Sequence, residues 1–266
     1  MGKKYFTDEK EIQKRKELTE LMNEWKKVIK TKDKIVFADT GEAQDAIEYF
    51  NTDGFFPGYF SHKNRVLFIG RESRGPSGGD RIESDLEGFK DFDASSSYWR
   101  RLLYLAYGIR HCGKLKFEQL PTAAEIIAQM RETGDYGFAI MNISKYSNDS
   151  DFGGTADYSL INRFLQDSEL DKRNFVLEEI ELLNPSVIIT AHLWNGGIKE
   201  ELLNSALPEK NFSALKRTVT VKDDCKACLY DFALGRKKIP LIDLYHFSSR
   251  KSDKDDFYSP VMKLLF

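Results

Sequence analysis

Four short runs of almost unbroken apolar residues most constrain how this chain can fold: "VLFIG" (66–70), "FAIMN" (138–142), "VIITA" (187–191) and "PLIDLY" (240–245). A strand with one face in water alternates apolar and polar residues. A strand covered on both faces does not, and that is the pattern of a parallel sheet flanked by helices. Helical spacing fills the intervals: "SYWRRLLYLAYGI", "TAAEIIAQM", "DYSLINRFL", "KRNFVLEEIELL" and "NGGIKEELLNSAL". Thr122 and Glu125 form a capping box at the start of the second, each satisfying an N–H of the first turn, and Pro185 stops the fourth. Strand and helix in alternation predict a three-layer α/β/α sandwich around a central, mostly parallel four-stranded sheet.

The flanks are less regular. Residues 8–30 place Leu18, Leu21, Met22, Trp25 and Val28 on one helical stripe, which predicts an amphipathic helix with a solvated charged face. A short helix is expected over "EAQDAIEYF" and a loop over "NTDGFFPGYFSHKN", so residues 1–60 read as a helical extension packed on a main domain of 61–266. "CLYDFALGRKKIP" suggests a strand or hairpin. "SPVMKLLF" suggests a closing helix with Ser259 as its cap and Pro260 at its first position.

Composition excludes several classes. No apolar run is long enough to cross a bilayer, and the lysines of "MGKKYFTDEKEIQKRK" precede no signal-peptide core. Three cysteines make no disulfide framework, so a reducing cytoplasm is expected; a monomer is expected as well. "CKAC" (225–228) supplies two thiols where a structural zinc wants four ligands, and neither metal nor cofactor is expected. With 40 basic against 42 acidic residues the chain is not a general nucleic-acid coat; a local basic face would suffice for an enzyme.

In parallel α/β sheets ligands sit beyond the carboxyl ends of the strands. Those ends carry Glu72 and Ser73, Asn142 and Ser144, His192, then Asp243, His246 and Ser248. A carboxylate, a carboxamide and an imidazole at one edge suit general acid–base or electrostatic catalysis.

Over residues 64–250 the order of these elements resembles the uracil-DNA glycosylase superfamily. That family has a loop written Gly-Gln-Asp-Pro-Tyr in its best-known branch; "GRESRG" puts Glu72 at the catalytic aspartate. An asparagine closes its "LLLN" strand, as Asn142 closes "FAIMN". Its His-Pro-Ser block is matched by "HFS", with His246 and Ser248. "LNPSVIITAH" is similar to the strand leading into its next helix.

The resemblance implies hydrolysis of an N-glycosidic bond in nucleic acid, DNA ahead of RNA, or in a nucleoside. Glu72 would stabilise the cationic sugar and orient water, and His246 would stabilise the departing base. Asn142 would read a flipped-out base, Tyr98 or Trp99 would stack on it, and Ser73, Ser77 and Ser248 would hold phosphates. Glu72 is one C–C bond, roughly 1.5 Å, longer than aspartate. Ser73 replaces the family's proline, and "SRKSDKDD" stands where several branches carry an apolar wedge. The base and the strandedness of the substrate therefore stay open. Two alternatives remain: a non-catalytic, nucleotide-binding member of the same fold, and an SGNH-type esterase with Ser73 as nucleophile, His246 as base and Asp243 as its orienter.

Overall fold

The computed structural model describes residues 5–29, 33–36, 41–74, 78–148, 156–194, 196–213, 215–220 and 226–266. Among these are eight α-helices: α1 (Glu9–Val28), α2 (Arg81–Gly88), α3 (Ser97–Arg110), α4 (Ala123–Thr133), α5 (Tyr158–Ser168), α6 (Phe175–Leu183), α7 (Glu200–Ala206) and α8 (Ser259–Leu265). The main sheet is built of β1 (Gly54–Phe55), β2 (Val66–Gly70), β3 (Phe138–Asn142), β4 (Val187–Ala191), β5 (Arg217–Thr220), β6 (Lys226–Leu234) and β7 (Lys237–Leu244). Its order is β5-β6-β7-β4-β2-β3-β1. The protein is thus α/β with a seven-stranded mixed sheet rather than a four-stranded one.

The four apolar runs lie side by side in that sheet, β7, β4, β2 and β3 pairing in parallel. Every residue of β3 and β4 is buried, as is all of β2 but Gly70. The three additional strands pair antiparallel at the two edges. β6 alternates buried and half-buried positions over much of its length, as a strand near a sheet edge does. Helices α1, α5, α6 and α7 pack among themselves, and α3 packs on α4 and α8.

Residues 43–61 depart from expectation. Ala43–Asp45 is a strand rather than helix, and a single 3₁₀ turn, Ala46–Tyr49, follows it. The expected loop is largely buried and supplies β1, so the N-terminal segment both packs on the rest of the chain and extends the sheet. Its shape is set by distant partners: the Asn51 N–H donates to the Lys145 carbonyl at 2.7 Å, and Phe56 N–H to the Phe138 carbonyl at 2.9 Å.

Local signals elsewhere match. Asp8 caps α1, the Thr122–Glu125 capping box opens α4, and Gly134 ends α4 in the left-handed region at φ 67°. Ser259 does not cap α8. The chain is already helical there, wound as a π-helix from Asp253 to Tyr258, and Ser252 is the cap. No helix among the described residues is long and apolar enough to cross a membrane.

Candidate active site

The register of β2 and β3 sets Gly70 opposite Asn142, and there the two strand ends touch. A Cβ on residue 70 would fall 2.4 Å from Asn142 Oδ1, so only glycine permits this approach. Asn142 is 5% exposed. Its backbone N–H donates to Asp53 Oδ2 at 2.6 Å and its Nδ2 to Ser73 Oγ at 3.2 Å. Ser73 Oγ also accepts from Arg81 Nη1 at 2.6 Å. Ser73, expected to hold a phosphate, is instead buried and spent on linking Asn142 to Arg81.

Beyond Gly70 the chain bends so that Ser73–Arg74 pairs in parallel with Ser147–Asn148. That short ladder turns Glu72 inward. Its Oε1 accepts from Asn148 Nδ2 at 2.5 Å and from the Asp157 backbone N–H at 2.8 Å, while Oε2 is buried without a partner. Burial pushes the carboxyl up to about 7, against the lowering pull of those two donors and of Arg71. A carboxyl held there is able to exchange its proton near neutrality.

His246 follows β7. The next residue, Phe247, is buried edge-on against Phe68 (5.7 Å between ring centroids) and Tyr98 (5.9 Å), which draws the loop across the end of β2. The Ser248 backbone N–H donates to His246 Nδ1 at 3.2 Å, so the neutral ring carries its proton on Nε2. Burial first, then the positive charges of Arg71 and Arg74, push His246 down to about 4. The ring is a neutral donor across the working range of most enzymes. Ser248 itself is exposed beside it.

The two aromatic candidates meet edge-on, their ring centroids 5.2 Å apart. Tyr98 lies 6.5 Å from the His246 ring, tilted, and its hydroxyl bonds Arg81. Trp99, about 100° further round the helix, packs edge-on to Phe89 at 4.8 Å and Phe56 at 6.2 Å. Trp99 is half-buried and, like Tyr98, packs against the core. Ser77 lies outside the described residues, and so does Cys225 of the "CKAC" motif. Among the described residues no group of three His, Cys, Asp or Glu side chains is placed to hold a metal.

The serine-esterase arrangement is not assembled. Asp243 accepts from the Thr190 hydroxyl at 2.5 Å and from the Leu193 N–H at 3.4 Å, with the His192 N–H a third donor. These contacts join the end of β7 to the turn after β4, where His192 takes the left-handed φ of 57°. Ser73 is bonded to Arg81 and Asn142, and His246 to Ser248.

Several site residues carried no sequence signal. Arg71 acts electrostatically on Glu72, His192 and His246 alike, and its guanidinium also bonds the Tyr158 hydroxyl. Under the site, Lys145 is wholly buried between Asp53 Oδ1 at 2.5 Å and Glu179 Oε2 at 2.7 Å. Burial drives the Lys145 ammonium down, and the two acids outweigh it, leaving it above the ordinary lysine value. Burial likewise holds Glu179 well above the ordinary range. The arrangement of lowest net charge is a Lys145–Asp53 ion pair beside a protonated Glu179.

No family model matches this chain, and no curated protein matches it.

Proposed function

We propose that this chain is a divergent member of the uracil-DNA glycosylase superfamily and hydrolyses the N-glycosidic bond of a base in nucleic acid, DNA ahead of RNA. One observation carries the reading: Glu72, Asn142 and His246 stand at the carboxyl ends of the parallel strands β2, β3 and β7, with His246 Nδ1 taken by the Ser248 N–H so that Nε2 is left to donate. Cleaving this bond builds positive charge on the sugar and negative charge on the departing base. Ionised Glu72 faces the first need and orients the attacking water; the Nε2–H of His246 meets the second by donating to a carbonyl oxygen of the base. Asn142, pinned by Asp53 and Ser73, keeps one amide N–H and its carbonyl oxygen for a base edge. Tyr98 is the stacking surface. Exposed Arg74 and Ser248 supply backbone contacts at the rim.

The two separately packed sets of helices, with buried parallel strands between, support the three-layer form of that superfamily. No cofactor enters this chemistry.

The test is strand cleavage, after alkali, of single- and double-stranded oligonucleotides carrying uracil or other altered bases. Release of at least one base is expected. Glu72→Gln and His246→Ala should each slow it at least tenfold, about 1.4 kcal/mol of barrier. Binding without release from any substrate would overturn the proposal in favour of a non-catalytic member of the fold.

A further inference from the structure

Helix α3 carries a guanidinium that none of the proposed chemistry uses. Arg101 is 2% exposed, on the face of the helix that also buries Leu102 and Leu105. A charge so placed is costly unless its donors are satisfied. Nε donates to Asp253 Oδ1 at 2.8 Å, Nη1 to the carbonyls of Phe247 and Ser249 (the latter at 2.7 Å), and Nη2 to the Lys251 carbonyl at 2.6 Å. The guanidinium carbon lies 4.2 Å from the Phe257 ring centroid. Asp253 is shared with Arg100, whose Nε reaches it at 2.5 Å. A single side chain thus grips every second carbonyl of residues 247–251, in a stretch where no strand or helix ladder satisfies them. His246 heads that stretch and Ser248 lies within it.

We propose that Arg101 is a positioning residue of the site: its fork fixes the 247–251 loop in the shape that buries the His246 ring and aims the Ser248 N–H at Nδ1. It touches no substrate and acts through His246. That His246 serves a leaving base rests on the function proposed above; the clamp does not.

The groups acting on the imidazole are Arg71 and Arg74 from the loop after β2, His192 from the end of β4, and Arg101 from α3, with burial ahead of all of them. Tyr98 lies against the ring. A loosened loop would admit water to the ring and remove the largest cause, whatever the residue at 101 carries. Lysine keeps the charge and loses the planar fork, so it separates charge from geometry.

The experiment is an NMR titration of the four histidines in the 266-residue chain, with His246→Ala assigning the signal. In Arg101→Lys and Arg101→Met the His246 midpoint should rise by at least one pH unit. His62, paired with Asp135 at 2.8 Å, and His111 should titrate as in the parent. A folded Arg101→Lys chain with an unmoved His246 midpoint would overturn the proposal, as would an equal shift at all four histidines. Arg101→Lys decides if the methionine variant does not fold. Base release run in parallel keeps the two ideas apart, since its absence in the parent counts against the glycosylase reading and leaves the titration to judge the clamp.

Discussion

Replacing Lys145 with methionine removes a charge and preserves most of a volume, in a place that water does not reach. Lys145, Asp53 and Glu179 have side chains 0%, 1% and 0% exposed. With the ammonium gone, Glu179 keeps its proton, but Asp53, committed to the Asn142 N–H, loses the cation bonded to it and keeps only the field of Arg81. Removing one partner of a buried pair costs about 3–5 kcal/mol. A chain of this size loses about 2–4 °C of Tm per kcal/mol, so Tm should fall by roughly 10 °C. Urea unfolding at pH 7, followed by circular dichroism, gives the free energy directly. Adding Asp53→Asn and Glu179→Gln to Lys145→Met should recover part of the loss, because none of the three positions then carries a charge into the core. A Lys145→Met variant within 1 kcal/mol of the parent would refute charge balance as what holds this cluster.

Two further outcomes follow from the site. Folding raises Glu72 from 4.5 to about 7, so the stability it contributes is fully present below pH 4.5 and is lost as pH rises through 7. Glu72→Gln, which keeps an Oε1 acceptor for Asn148 and Asp157, should therefore stabilise the chain at pH 8 by up to about 3 kcal/mol and leave it unchanged at pH 4. Equal urea midpoints for variant and parent at both pH values would contradict this. Gly70→Ala drives a methyl group onto Asn142 Oδ1 and should cost about 1–3 kcal/mol in urea while narrowing the difference in release rate between bases; an unchanged midpoint and preference would show that the contact does not position Asn142.

The parallel strands were legible because full burial writes itself as a continuous apolar run, and α4 because a capping box is a local signal. Residues 43–61 were not, since two-residue strands have no period and theirs is imposed by β3 and Lys145. Lys145 itself lies in "NISKYSN"; its acids stand at positions 53 and 179, and nothing local announces them. Ser73 follows a strand and Arg101 stands in "SYWRR", and only tertiary contacts bury these two. Glu72, Asn142 and His246 could be named as candidates because position at a strand's carboxyl end is legible even when a side chain's partners are not.

The relation between rate of base release and pH, for the parent and for Glu72→Gln, bears most directly on the pairing of an ionisable carboxyl with a neutral imidazole. With His246 at about 4, only Glu72 titrates in the range 5–9 among the two. The expected parent profile rises through a midpoint near pH 7 and then levels, and the glutamine variant is at least tenfold slower and flat. A parent profile that is flat or falling through pH 7, or one that the substitution leaves unaltered, would contradict the mechanism.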